Sequence, residues 1–196
     1  MTDSQLIRQI KEGEIELYSE LISRYEKKII QFITNMLRSY HYEAYAEDIC
    51  QETFYKAYRS LYTFRDQEAT FSTWLYTIAK NTTLSEIRKL KYTEVPLEEN
   101  ISNIQLSSLL LPEQELLKNE KVNKVRDAIN RLPEKQRSVI ILREYDQLDY
   151  KEIAQILDST VSSVKSLLFR ARSGIKFQLE SYIVENKLND FEGMKG

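Results

Sequence analysis

Cysteine and histidine each occur once in this sequence, as Cys50 and His41. A lone cysteine excludes an internal disulfide, and one cysteine with one histidine excludes an ordinary Cys/His zinc site. Cys50 reads most simply as a small buried apolar residue. Glycine and proline are also scarce, with four and three residues among 196. Without these breakers, runs of Leu, Ile, Lys, Glu, Gln and Arg favour helix almost throughout. No Gly-rich phosphate loop and no nucleophile–base pair is present, which argues against an enzyme, catalytic residues, a cofactor or a small-molecule substrate. No apolar run approaches the roughly 20 residues that cross a bilayer. The first residues, MTDSQLIRQIKEGE, lack the basic region and apolar core of a signal peptide. The expectation is a cytosolic protein without direct membrane insertion.

What remains is an ordinary globular composition, 42% hydrophobic and 30% charged, with a formal net charge of −2. The total hides a segregation along the chain. Between positions 12 and 55, nine acids oppose four bases. Between 70 and 92, Lys80, Arg88, Lys89 and Lys91 oppose Glu86 alone. Six acids against Lys118 fill 94–120, and 161–176 carries Lys165, Arg170, Arg172 and Lys176 with no acid. Two basic patches are thus separated by acidic sequence.

Apolar residues recur at three- and four-residue steps over most of the chain. Helices are expected around 6–10 and over 15–37, 44–62 and 72–90. In the second of these, Tyr18, Leu21, Ile22, Tyr25, Ile29, Phe32, Ile33 and Met36 form a core stripe. Periodicity fails over 93–111, where prolines, Asn, Ser and unpaired acids read as a linker. Helical spacing then returns with Val122, Val125, Ile129 and Leu132, breaks at Pro133, and resumes over 135–145, 150–157 and 162–179. The fold class is all-α, with two small helical domains joined by an acidic linker.

Near the C-terminus, Asp149 followed by Glu152 forms a capping pattern ahead of a short apolar segment. Asp158-Ser159-Thr160 interrupts that segment, and the next helix buries Val161, Val164, Leu168, Ala171 and Ile175. Its other side presents Lys165, Ser166, Phe169, Arg170 and Ser173. A short helix, a tight turn and a second helix with an all-basic charge set form a helix-turn-helix, whose second helix enters the major groove. Lys and Arg there can bind phosphates or guanine, Ser can bond either, and an outward Phe can touch a thymine methyl. The competing reading is an αα-hairpin with a solvated basic face.

The stretch TFSTWLYTIAKNTTLSEIRKLKY, residues 70–92, places Phe71, Trp74, Leu75, Ile78 and Ala79 on one side of a helix. Thr73, Thr77, Lys80, Asn81, Leu84 and Arg88 occupy most of the other. Thr and Asn bond base edges or phosphates, Lys and Arg neutralise phosphates, and nearby aromatics offer unstacked bases a surface, which suits melted DNA. The preceding helix, AEDICQETFYKAYRSL, lines up Asp48, Glu52, Tyr55 and Arg59 with Gln51 and Lys56 beside them, a pattern that by itself is a solvated face.

Taken in order, these segments resemble the small extracytoplasmic-function sigma factors of the bacterial sigma-70 family. AEDICQETFYKAYRSL looks like the core-polymerase-binding part of the first conserved domain, and RDQEATFSTWLYTIAKNTTLSEIRK like its promoter-melting and minus-ten-reading part. LPEKQRSVIILREYDQLDYKEIAQIL with VKSLLFRAR resembles the second domain, which reads the minus-thirty-five element. The resemblance implies a first domain over 1–92, a linker over 93–111, a second domain over 112–182 and a tail over 183–196. It implies polymerase contact through Asp48, Gln51, Glu52, Phe54 and Lys56. It makes the loop 64–71 the pocket for a flipped minus-ten base, and gives Arg65, Thr70, Phe71, Thr73, Trp74, Tyr76, Lys80, Asn81 and Arg88 to strand opening and holding. Lys165, Ser166, Phe169, Arg170 and Arg172 fall to the minus-thirty-five groove. The implied partners are core RNA polymerase, promoter DNA and an anti-sigma factor.

Three positions depart from the family pattern. Ser85 stands where Asp is frequent, Asp158 where the turn often has Gly, and Leu167 where VKS is often followed by Arg. Asp tolerates the left-handed conformation better than most residues, so the turn is expected to persist. Leu167 removes one candidate phosphate contact. The rival readings are an autonomous helix-turn-helix regulator, which requires a dimer seam that no extra amphipathic segment supplies, and a helical protein adaptor, for which both basic patches are dispensable.

Overall fold

The computed structural model describes the backbone of residues 1–93 and 113–193, and side chains over 1–93 and 120–180. The expected linker, 93–111, lies outside the described residues except for Thr93. Among the described residues the secondary structure is helical, as the scarcity of Gly and Pro dictates.

Helix α1, Asp3–Glu12, opens on a capping box: the Thr2 hydroxyl accepts the Gln5 N–H while the Gln5 side chain accepts the Thr2 N–H. It ends at Gly13, whose φ of 119° requires glycine although the space around it is open. Asp3 ties α1 to the next long helix, pairing with Arg24 at 2.9 Å and accepting the Tyr25 hydroxyl. After a single 3₁₀ turn, α2 runs Tyr18–Leu37, and α3 covers Ala46–Ser60 between two further 3₁₀ turns. Helix α4, Phe71–Thr93, completes the N-terminal block. The stripe read from the sequence of α2 is its buried face: Leu21, Ile29, Phe32, Ile33 and Met36 have no exposed surface.

The C-terminal block begins with α5, Glu113–Asn130, and α6, Glu134–Ile140, divided by the break at Pro133. Helix α6 widens into a π turn over Ile141–Tyr145, and a loop with Gln147 at φ 58° leads to α7, Tyr150–Ile156. Asp149 caps α7 as its spacing predicts, accepting from the N–H groups of Lys151 and Glu152, while Glu152 accepts the Asp149 N–H. Asp158 adopts φ 46°, so the left-handed turn is made without glycine. Helix α8 then runs Val161–Gly193, burying Val164, Leu168 and Ala171.

The two blocks do not stand apart. α7 lies across α4, the π turn packs against α2, and the buried apolar side chains of both blocks form one continuous cluster. Phe32 of α2 meets the Tyr76 ring of α4 edge-on, with centroids 5.2 Å apart, at the centre of this cluster. Removing that ring leaves a cavity that the helices can refill only in part. Phe32→Ala is expected to lower stability by about 3–5 kcal/mol, read from the urea unfolding midpoint at unchanged denaturant slope.

Candidate nucleic-acid interface

On α8 the burial of Val164, Leu168 and Ala171 forces the opposite side outward. Lys165, Ser166, Phe169, Arg170 and Arg172 are all exposed, and Phe169 is 73% exposed, far more than an aromatic ring needs for packing. Half-buried Leu167 packs on the core, so this departure from the family pattern faces inward. Arg172 is already engaged: its guanidinium bonds the Glu144 carboxylate at 2.7 Å, which also raises its pKa. That leaves Lys165 and Arg170 as the cations of the recognition face without an ion pair among the described residues. Their charge and the uncovered ring suit a duplex groove with phosphate walls and methyl groups.

On α3 the side chains of Asp48, Gln51, Glu52 and Lys56 lie exposed in one strip, with Lys56 paired to Glu52 at 3.3 Å. Phe54 points the other way. Its ring is buried, and its carbonyl accepts the Tyr18 hydroxyl at 2.7 Å. With Tyr18, Ile22, Ile30, Cys50 and Tyr58 it floors a groove of about 800 Å³ between α2 and α3, rimmed by Glu16, Glu26 and Glu47. The buried Cys50 thiol is pushed up to about 11 by desolvation and by the nearby Glu26.

The segment before α4 is braced from two sides. Lys11 of α1 donates to the Phe64 carbonyl at 2.8 Å, a contact 53 positions apart in sequence. Phe64, Phe71 and Trp74 form an aromatic cluster with centroid spacings of 5.2 to 5.9 Å, and Tyr25 adds an edge contact to Phe71. Arg65 is exposed and pairs with Glu68 at 3.2 Å. Exposed Thr70 opens α4: its hydroxyl accepts the Thr73 N–H at 3.1 Å and bonds the Thr73 hydroxyl at 2.9 Å.

Helix α4 departs most from its sequence pattern. Its expected polar strip is exposed at Asn81 and Arg88 but not elsewhere. Thr73 is buried with its hydroxyl on Thr70, and the Thr77 hydroxyl returns to the Thr73 carbonyl. Phe71 is buried, and Trp74 is half-buried within the aromatic cluster. Tyr76 is only 1% exposed, and its hydroxyl donates to Asp146 at 2.8 Å. Half-buried Lys80 donates to the Ile156 carbonyl at 2.7 Å, and burial lowers its pKa. In this arrangement Phe71, Thr73, Tyr76 and Lys80 cannot meet a DNA strand. The reason is tertiary: α4 packs on α2 and α3 with one side and under α7 with the other.

Residues that the sequence reading passed over complete this seam. Arg137 is 4% exposed and is held without an acid, donating through its terminal nitrogens to the carbonyls of Asn130 and Leu132 and to the Tyr40 hydroxyl at 3.0 to 3.1 Å, while its Nε lies buried without a partner. Its guanidinium also lies over the Tyr40 ring. Gln155 donates to the Glu68 carbonyl at 3.2 Å, and the Ser138 hydroxyl reaches the Met36 sulfur at 3.7 Å. Pairings across 87 to 102 positions have no periodic signature in the sequence.

Two helical blocks, the second a helix-turn-helix with a basic outward face, define a class of transcription initiation factor, and family models agree. Residues 21–93 match sigma-70 region 2, and residues 123–173 match sigma-70 region 4. The chain belongs to the sigma-70 family, in its extracytoplasmic-function (ECF) group. It is 36% identical over 187 residues to the ECF RNA polymerase sigma-E factor of Haemophilus influenzae, spanning 92% of this chain and 96% of that one. It is also 36% identical over 180 residues to the ECF RNA polymerase sigma factor SigW of Bacillus subtilis, spanning 88% and 94%. Among solved structures, the fold is similar to that of CnrH in complex with the cytosolic domain of CnrY, at a TM-score of 0.66, 21% identity and coverage of 91% and 97%. It is likewise similar to RpoE in complex with the anti-sigma factor NepR from Bartonella quintana, at 0.58, 24% identity and coverage of 82% and 97%. Among the described residues no helix is long and apolar enough to cross a membrane, and no cluster of metal ligands occurs.

The seam carries one titration. Burial pushes the Asp146 carboxyl from 3.8 up to about 6, against the lowering effects of the Tyr76 hydrogen bond from α4 and the Lys28 charge from α2. A carboxyl whose pKa is raised on folding binds its proton more tightly in the folded chain. Its contribution is present below pH 3.8 and lost as pH rises through about 6. Asp146→Asn is therefore expected to flatten the fall in stability between pH 4 and 6, measured by urea unfolding across that range.

Proposed function

We propose that this ECF sigma factor binds core RNA polymerase through the exposed strip Asp48, Gln51, Glu52 and Lys56, with Phe54 shaping the groove beside it. The same reading has it direct promoter recognition, melting and initiation. Residues 1–92 act as the polymerase-binding and minus-ten unit, and 112–182 as the minus-thirty-five unit, with 93–111 linking them and 183–196 as a tail. Lys165, Ser166, Phe169 and Arg170 read the minus-thirty-five groove, with Arg172 held beside them by Glu144. Arg65, Thr70, Trp74, Tyr76, Lys80, Asn81 and Arg88 open and hold the minus-ten strand once α4 is uncovered, while Phe71 and Thr73, enclosed by Tyr25, Phe64 and Thr70 of the same block, shape that face from within. The observation that carries this reading is the outward face of α8, where a largely exposed phenylalanine stands among cations on a helix-turn-helix.

The work divides by physics. Phosphate contacts position the complex, a few base contacts specify the site, and capture of extruded bases offsets the few kcal/mol lost for each unstacked step. The chain performs no nucleotide chemistry itself and acts in the cytoplasm. An anti-sigma factor is its regulator in this reading, supported by the complexes in which the structural relatives were solved. The autonomous regulator is disfavoured because identity to ECF sigma factors extends over nearly the whole chain.

Run-off transcription with bacterial core polymerase and genomic fragments tests the function: discrete starts are expected only when the protein is present. Asp48→Arg with Gln51→Ala is expected to abolish co-purification with core polymerase with the fold retained by circular dichroism, because both side chains are exposed; Arg in the first turn of α3 costs about 1 kcal/mol or less. Arg170→Ala is expected to weaken promoter binding by about 1–3 kcal/mol while core binding persists. A uniform loss across sequences, with a salt slope smaller by about 1, would mark a phosphate contact; relaxed preference at one base pair would mark a base contact.

A further inference from the structure

Residues 64–71, the segment that receives a flipped minus-ten base in the reading above, are held at both ends by a helix outside the matched region 2, which begins at residue 21. That helix is α1. From its last turn, Lys11 donates to the Phe64 carbonyl at 2.8 Å, and the same ammonium lies 5.9 Å from the centroid of the Phe64 ring. From its first residue, Asp3 accepts the Tyr25 hydroxyl, and the Tyr25 ring meets Phe71 edge-on at 5.4 Å. Phe64 and Phe71 close the segment on itself, with ring centroids 5.9 Å apart. A lysine at a helix C-terminus ordinarily serves the carbonyls of its own last turn. Lys11 instead reaches a carbonyl 53 positions away. Burial of Leu6, Ile7 and Ile10 fixes α1 on the core, but beside Lys11 the helix and the segment are parted by a cleft of about 400 Å³ lined by Ile7, Arg8, Phe64 and Asp66. Across that gap the segment is held by a directed polar contact rather than by packing.

We infer that Lys11 and Asp3 are positioning residues for minus-ten recognition: α1 fixes the segment 64–71 directly at Phe64 and through Tyr25 at Phe71, and so sets the shape in which an extruded base is received. The inference rests on the base-capturing role proposed for this segment. A pocket that must order itself at the moment of capture loses part of its binding to that ordering and discriminates less between bases. A pocket already held puts the same energy into the fit. Selectivity at the captured base is therefore the property that α1 controls. The docking strip on α3 and the duplex-reading face of α8 are independent of it.

The test uses the full chain and three variants. Lys11→Met removes the donor and keeps the apolar stem, Lys11→Arg keeps a cationic donor, and Tyr25→Phe cuts the Asp3 link while keeping the ring against Phe71. Trp74 is the one tryptophan of the chain and stands 5.2 Å from Phe64, so its emission reports on this end of the segment without polymerase or DNA. Lys11→Met is expected to shift that emission to the red, with Lys11→Arg at the parental wavelength and circular dichroism unchanged in both. Run-off transcription with core polymerase is then compared between a cognate promoter and templates that each carry one minus-ten substitution. In Lys11→Met the preference at one minus-ten base pair should fall roughly 3- to 10-fold, the scale of one partly exposed hydrogen bond, with the other positions unchanged. Lys11→Arg should restore that preference, and Tyr25→Phe should lower the same one by less. Parental emission and parental preferences in both Lys11→Met and Tyr25→Phe would overturn the inference. So would an equal fall at every minus-ten position, which is what general destabilisation produces. Absence of discrete starts with the parent sinks the functional reading, whereas discrete starts with unchanged selectivity in the variants sink the positioning role alone.

Discussion

Burial of α4 on two sides is the constraint from which the remaining arrangement follows. A helix packed by α2 and α3 alone would leave the Tyr76 hydroxyl and the Lys80 ammonium in water, and the two blocks would be independent units on a tether. With α7 laid across it, α4 becomes the shared wall of a single core. The polar atoms trapped in that wall must then find partners inside the protein. Tyr76 finds Asp146 and Lys80 finds a helix-terminal carbonyl, while the threonine hydroxyls return to their own backbone or to each other. These donors are each satisfied, while the second oxygen of the Asp146 carboxyl lies buried without a partner.

Much of the fold was legible because it is local. The α2 stripe is a period of 3.6 written in large apolar residues, and its buried members follow the pattern read from it. The Asp149–Glu152 box and the left-handed Asp158 are short-range features with a backbone mechanism, and both are present in the structure. The outward face of α8 follows by subtraction once Val164, Leu168 and Ala171 are assigned to the core. The family resemblance supplied what periodicity could not, the assignment of the α3 strip to a partner.

What the sequence withheld lies in contacts between distant residues. Lys80 reads as part of a polar strip and Tyr76 falls to the strand-holding set by resemblance, and nothing nearby in sequence announces that Ile156 and Asp146 will cover them. Arg137 has no pattern in the sequence to single it out, yet the structure buries it among carbonyls and over the Tyr40 ring. Thr73 reads as a base-contacting hydroxyl, but Thr70, three residues earlier, takes its bond. In each case a side chain with two physically acceptable uses was assigned by tertiary packing, which composition and spacing do not encode.

The groove between α2 and α3 has a chemical consequence as well as a shape. Its floor holds the one thiol of the chain, buried and with its pKa pushed up to about 11. At neutral pH about one such thiol in ten thousand is ionised, and only the thiolate reacts readily with peroxides or disulfides. Burial thus keeps this thiol in its unreactive protonated form, and the groove presents it to a bound partner as a small apolar contact.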